Sequence, residues 1–181
     1  MAFNINEIRT NLIGGGARPT LFQVELTNPI NNDAADVTPF LIRSTQIPSS
    51  TVGAIEIPYF GRKIRIAGDR TFDTWSVTVM NDEDFRIRHT IEEWHNAINT
   101  LQTNLNTTGS SSPANYKQTA RVTQFGKDGQ ALRVYNFNGI FPTEISPIEL
   151  DWESTDQIEN FTVTFAYDWF DVVGGVTGTV Q

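Results

Sequence analysis

Apolar and polar residues alternate along much of this chain, which is the period of β-strands that bury one face. The alternation is clearest at residues 158–170. One face of that segment is predicted to hold Phe161, Val163, Phe165, Tyr167 and Trp169, and the other Asn160, Thr162, Thr164, Ala166 and Asp168. Residues 18–26 and 72–80 alternate in the same way. These segments predict strands.

Turn residues indicate how the strands are joined. Asp128-Gly129 lies between two strand-like segments, 116–125 and 130–138, and Asp-Gly is a strong signal for a β-hairpin. Residues 40–70 contain several prolines and glycines that break up short apolar runs. Within them Ile64 and Ile66 alternate with Lys63 and Arg65, which predicts a ribbon with one apolar and one basic face.

One segment has helical rather than strand spacing. Its apolar residues recur every three or four positions, at Ile87, Ile91, Trp94, Ile98 and Leu101. Asn81 is a suitable N-cap, and Asp82, Glu83 and Asp84 would follow it in the first turn, where the helix dipole favours acids. We therefore expect a helix over about residues 82–101 that packs one face on a sheet.

The predicted fold is mainly β, an antiparallel sandwich or barrel with one flanking helix. Residues 18–171 are expected to form a single domain, because 181 residues suit one domain. Residues 1–17 would be an N-terminal arm jointed at Gly14–Gly16, and residues 172–181 a flexible tail. No apolar run approaches the ~20 residues that cross a bilayer, and the N-terminus lacks a secretory pattern. We expect synthesis in a cytoplasm and no stable membrane association.

Composition and charge narrow the possible chemistry. The formal net charge of −8 argues against a protein that grips nucleic acid by its phosphates. The absence of cysteine excludes disulfides, thiolate metal sites and cysteine nucleophiles, and there are only two histidines. We expect no catalytic residue, metal site or cofactor.

Charge is unevenly distributed along the chain. No Lys or Arg follows Arg133, and this region carries an acidic surface at Glu149, Asp151, Glu153 and Asp156. A solvated acidic face is the favoured interpretation; a carboxylate acid–base set or a surface that repels something negative are alternatives. The segment 62–70 is basic instead, and the pair of opposite patches could support head-to-tail self-association. An ordinary surface patch is the alternative there.

Several segments, in order, resemble the tail tube proteins of contractile-tailed, myovirus-type bacteriophages. The most specific is IPYFGRKIRIAGDRTFDTWSVTVMND at 57–82. The others are RPTLFQVEL at 18–26, NYKQTARV at 115–122 and GIFPTEISPIELDWESTDQIENFTVTFAYDWF at 139–170. The resemblance spans about residues 17–170.

The resemblance implies a structural protein of the virion tail and not an enzyme. Six copies would form a ring, and rings would stack into a hollow tube inside a contractile sheath. DNA would pass through that tube without specific binding. The implied partners are other copies of the chain, the sheath, baseplate and tail terminator proteins, and a tape measure protein in the lumen. Tubes of type VI secretion systems, pyocins and contractile injection systems are related.

Three sets of residues receive hypotheses on this basis. The inter-ring or inter-subunit contact would involve Tyr59, Arg62, Lys63, Arg65, Asp69 and Arg70. Thr162 and Thr164 would face the lumen, and the acidic surface would meet the basic ribbon of a neighbouring ring. Two alternatives to a phage tail tube stay open: the inner tube of an injection or secretion system that carries protein effectors, and a small β-sandwich binding module.

Overall fold

The computed structural model describes residues 5–12, 15–107, 111–175 and 178–179. These residues form a mainly antiparallel β-structure, which confirms the predicted fold class. The helices are α1 (Ile5–Asn11), α2 (Thr38–Leu41), α3 (Arg86–Ile98) and α4 (Pro113–Tyr116). The strands are β1 (Phe22–Leu26), β2 (Ile42–Thr45), β3 (Ser50–Tyr59), β4 (Arg62–Phe72), β5 (Trp75–Met80), β6 (Gln118–Phe125), β7 (Ala131–Ile145), β8 (Asn160–Ala166) and β9 (Trp169–Val172).

Seven of these strands form one hydrogen-bonded series. Its order is β1-β6-β7-β8-β5-β2, with β9 added alongside β7. The long strand β7 links two halves, since its first part pairs with β6 and β9 and its last part with β8. Helix α2 contacts both β1 and β2, the two ends of the series. The result is an open barrel whose gap is covered by helices. The hairpin predicted at Asp128-Gly129 is confirmed, because β6 and β7 flank it.

The two halves share one apolar core. Its largest side chains, Trp75, Trp94, Phe137, Phe161 and Phe165, are almost completely buried. The Trp75 ring stacks on Phe137 with centroids 4.4 Å apart, and its Nε1 donates to the Gln46 carbonyl at 3.0 Å. Aromatic side chains of this size contribute much of a core's burial, so these contacts fix how the halves pack.

Helix α3 is shorter than predicted at both ends. Asn81 is not its cap, because the Asn81 side chain donates to a Glu159 carboxylate oxygen at 3.0 Å. The helix begins at Arg86, after Phe85 with a φ of 52°. Leu101 lies beyond its end and is exposed, whereas Ile87, Ile91 and Trp94 are buried as the stripe predicted. No helix in the described ranges is both long and apolar enough to span a bilayer.

The prediction of one continuous strand through residue 170 is wrong. The strand β8 ends at Ala166, and the chain crosses to the other half of the barrel. Asp168 directs the crossing: its N–H donates to the Asn138 carbonyl at 3.0 Å, and Lys117 Nζ contacts both of its carboxylate oxygens. Gly139 has a φ of 70°, and a Cβ there would overlap the Asp168 carboxylate. Trp169 consequently lies on β9, away from the core face of β8.

Candidate assembly surface

Strands β3 and β4 form a hairpin that stands apart from the barrel, here called the hairpin arm. The two strands pair with each other in a sheet of their own, and every residue of Ser50–Tyr59 is exposed. An isolated two-stranded hairpin is marginally stable in water, and it gains little here by burial against the body. Such an arm is suited to contact with another molecule.

The strand register gives the arm two different faces. Ile55 lies opposite Ile66 and Ile57 opposite Ile64, which creates an exposed isoleucine face. On the other face Glu56 lies opposite Arg65, and Lys63 is next to them. The predicted apolar and basic faces are therefore confirmed. A contiguous exposed apolar stripe of this kind is typical of protein–protein contact.

The charges on the basic face are partly paired within the arm. Glu56 accepts from Lys63 Nζ at 2.7 Å and from Arg65 Nε at 3.1 Å. Both pairs are exposed, so each stabilises the hairpin only slightly. Arg62, Asp69 and Arg70 form no salt bridge within the described part of the chain. The six residues predicted to form a contact all lie on the hairpin arm. The charges of Arg62, Asp69 and Arg70 are therefore available for ion pairs with another molecule.

The tip of the arm is a strained aromatic turn. Phe60 and Gly61 are its central residues, with φ values of 42° and 79°. Two positive φ angles match the tight hairpin turn that usually holds Asn-Gly, and a bulky side chain in that conformation is an outlier. Phe60 is 91% exposed, and its ring contacts Tyr59 edge to face. Sequence reasoning missed Phe60; the only signal was the Phe60-Gly61 pair just before the predicted ribbon.

The base of the arm is fixed to the barrel. The Phe72 ring packs against Tyr167 and Phe170, with centroids 5.8 and 5.6 Å apart. The Tyr167 hydroxyl donates to the Ser49 carbonyl at 3.4 Å. Burial, and secondly the negative charge of Asp73, raise the pKa of Tyr167 above its ordinary 10.0. The hydroxyl therefore keeps its proton and this hydrogen bond at neutral pH, and the contact weakens only in strong alkali.

Residues 146–160 form a second exposed feature, here called the acidic loop. Its ends are held by Arg88, which donates to the Ser146 carbonyl at 3.3 Å, and by the Asn81–Glu159 contact. The predicted acidic surface lies on this loop, and all four of its members are exposed: Glu149, Asp151, Glu153 and Asp156. In the part of the chain that the structure describes, they form neither a salt bridge nor a cluster arranged to hold a metal ion.

The acidic loop lines an open cleft of about 590 Å³, here called the acidic cleft. Apolar lining comes from Leu150, Trp152 and Ile158, all of which are exposed. The Trp152 side chain is 101% exposed, as open to water as in an unfolded chain. Tryptophan is usually well buried, so a fully exposed one beside a cavity marks a surface available for binding.

Thr162 and Thr164 lie in the middle of the barrel wall and point away from the core. They pair in register with Thr78 and Ser76 of β5, which makes a surface of four hydroxyls, here called the hydroxyl face. The two threonine Oγ1 atoms of Thr78 and Thr162 are 3.4 Å apart. The four hydroxyl side chains are themselves uncharged, and Glu144 of β7 lies opposite Thr164 on the other side of β8.

Most of the chain is similar to proteins of one known family. A family model described as phage tail tube protein matches residues 17–173. The chain is 38% identical over 159 residues to the tail tube protein gp19 of Enterobacteria phage T4, which is 87% of this chain and 93% of the relative. It is 25% identical over 168 residues to the tail tube protein of Serratia phage KSP90, which is 90% of this chain and 93% of that relative.

Two solved structures share the fold. One is the tube-terminating cap of the anti-feeding prophage, with a TM-score of 0.63 and 18% identity, covering 86% of this chain and 89% of the other. The second is from the sheath–tube complex of an extracellular contractile injection system, with a TM-score of 0.60 and 15% identity, covering 94% and 98%. The family match and the identity to gp19 show that this chain belongs to the phage tail tube proteins, a non-enzymatic family of structural proteins of the virion tail.

Proposed function

We propose that six copies of this chain form a ring, and that rings stack head to tail into the hollow tube through which DNA leaves the virion. The observation that carries this is the hairpin arm, whose isoleucine face and aromatic tip are uncovered in the single chain. Burying such a surface requires another molecule, and a surface unlike the one it meets gives head-to-tail assembly. A DNA conduit is favoured over an effector tube, because the relatives at 38% identity are phage proteins.

The expected partners follow from the same position in the tail. One neighbour in fold comes from a sheath–tube complex, one from a baseplate and one from a sheath/tube terminator. We propose that this chain likewise contacts a sheath, a baseplate and a terminator, and encloses a tape measure protein until ejection. We also propose that the chain is divided into an N-terminal arm at residues 1–17, a tube domain at 18–171 and a C-terminal tail at 172–181. The family match at 17–173 supports this division.

Charge reversal on the hairpin arm tests this function. Changing Arg62, Lys63 and Arg65 to glutamate should leave a folded chain that no longer builds tubes, because the arm then repels an acidic neighbour. Electron microscopy of concentrated protein and circular dichroism measure the two outcomes. A matched control reverses Arg43, Arg121 and Lys127, which are exposed and lie off the arm. Tubes of normal length from the arm variant would contradict the proposed contact, and a wild-type chain that stays monomeric when concentrated would contradict the function.

The hydroxyl face is the proposed lining of the lumen. Hydroxyl side chains with the carboxylate of Glu144 opposite Thr164 suit DNA in transit, since cationic side chains would bind its phosphates. Thr164→Cys should react with a small maleimide in both monomers and tubes. A maleimide on a long polymer should label the monomer but not the assembled tube, because the polymer cannot enter. Equal labelling of tubes and monomers by the polymer reagent would place Thr164 outside.

A further inference from the structure

We propose that the aromatic tip of the hairpin arm, Tyr59 and Phe60, inserts into the acidic cleft of a second copy in the next ring. This inference rests on the proposed function and names the receptor for the arm. It joins two features that the single chain leaves unexplained. One is a strained and exposed aromatic turn, and the other is an open cleft with an exposed tryptophan.

The positions of the two features support head-to-tail contact. Strands β5 and β8 pair antiparallel, with Trp75 opposite Phe165 at one end and Met80 opposite Asn160 at the other. The arm joins the barrel at Phe72, beside the Trp75 end, and the acidic loop joins it at Asn160. Six paired residues separate these ends by about 17 Å at the usual rise of a strand. The arm and the acidic loop are thus attached at opposite ends of these strands, and we infer that copies stacked along the strands bring the arm of one toward the cleft of the next.

The cleft has the size and lining to receive the tip. Its volume of about 590 Å³ is within the range of sites that enclose organic groups. Leu150, Trp152 and Ile158 offer apolar and aromatic contact to Phe60 and Tyr59, and aromatic pairs add to the stabilisation from area alone. Strained residues such as Phe60 cluster at functional sites. An aromatic residue that docks in a partner supplies such a function.

Charge complementarity favours this partner. The part of the hairpin arm from Gly53 to Arg70 carries four cations and two carboxylates, which gives a net charge of +2. The acidic loop carries Glu149, Asp151, Glu153, Asp156 and Glu159 and no cation, a net of −5. Opposite potentials orient an encounter and fix its register. Two identical chains of net charge −8 repel each other on average, and pairing the arm with the acidic loop offsets that repulsion where two rings meet.

Disulfide trapping in assembled tubes tests the contact, because the chain has no native cysteine. The variant Tyr59→Cys with Ile158→Cys keeps Phe60 and Trp152. After oxidation, a non-reducing denaturing gel should show a ladder that extends beyond six copies, since each chain links to one above and one below. The control pairs Tyr59→Cys with Leu101→Cys, an exposed site outside the acidic loop, and should give no ladder.

The outcomes separate the inference from the proposed function. Normal tubes without a ladder would overturn the docking and leave the function intact, and a ladder that stops at six would place the contact within a ring and overturn it too. A second variant, Phe60→Asn, applies if the cysteine pair does not assemble. Asparagine tolerates the positive φ, so the monomer should stay folded while the concentration needed for tubes rises at least tenfold. An unchanged threshold would contradict the inference.

Discussion

The double variant Ile57→Lys and Ile64→Glu is expected to remain folded and to lose tube formation completely. The two residues lie opposite each other on the isoleucine face, so the new charges form a cross-strand pair that preserves the hairpin and the net charge. In an assembled contact, however, each lost isoleucine removes about 1.5–3 kcal/mol of burial, and a charged group must be desolvated in its place. Every subunit contact in a tube repeats that loss.

The measurements for this variant are sedimentation of assembled tubes and the thermal unfolding of the unassembled chain. Leu101→Lys with Leu105→Glu is the matched control, because both leucines are exposed, lie off the arm and receive the same two charges. The control should sediment as the wild type does. If the arm variant forms tubes at the wild-type threshold, the isoleucine face is not part of the assembly contact.

The elements that the sequence predicts well are those decided by local pattern. Alternation in β5 and β8, the Asp128-Gly129 turn and the apolar stripe of α3 all depend on neighbours within a few residues. The misses depend on distant partners. The crossing after Ala166 requires Lys117 and Gly139 to hold Asp168, and Asn81 is drawn from its expected capping role by Glu159. The residue pattern around Asp168 or Asn81 gives no information about these partners, because they are distant in the sequence.

The candidate assembly surface also has features that local pattern predicts and features that depend on distant contacts. The apolar and basic faces of the ribbon follow from alternation, but the pairing of isoleucines across two strands and the separation of the arm from the barrel do not. That Lys63 and Arg65 share Glu56 follows only from the register of the two strands. Phe60 was missed because a bulky aromatic is disfavoured at positive φ, and general turn preferences therefore argue against it. The exposure of Trp152 depends on the path of the whole acidic loop, and composition cannot distinguish it from a core tryptophan.

Substitution by alanine is expected to lower the stability of the chain at one tryptophan and to impair tube assembly at another. Trp75 is 2% exposed and contacts Phe137, Phe165 and the Gln46 carbonyl. Trp75→Ala should cost about 3–5 kcal/mol of unfolding free energy, because it leaves a cavity between the two halves of the barrel. Domains are typically stable by only about 5–15 kcal/mol, so much of the chain's stability would be lost. Urea denaturation of the unassembled chain measures the change.

Trp152→Ala should change that unfolding free energy by no more than about 0.5 kcal/mol, since the side chain is fully exposed. Its effect should fall on assembly instead, with the concentration needed for tubes raised at least tenfold, because the acidic cleft loses its largest apolar contact. A destabilised monomer would show that Trp152 supports the fold, and an unchanged assembly threshold would remove it from the contact. A folded monomer with impaired assembly is the combination that only a tryptophan exposed for docking produces.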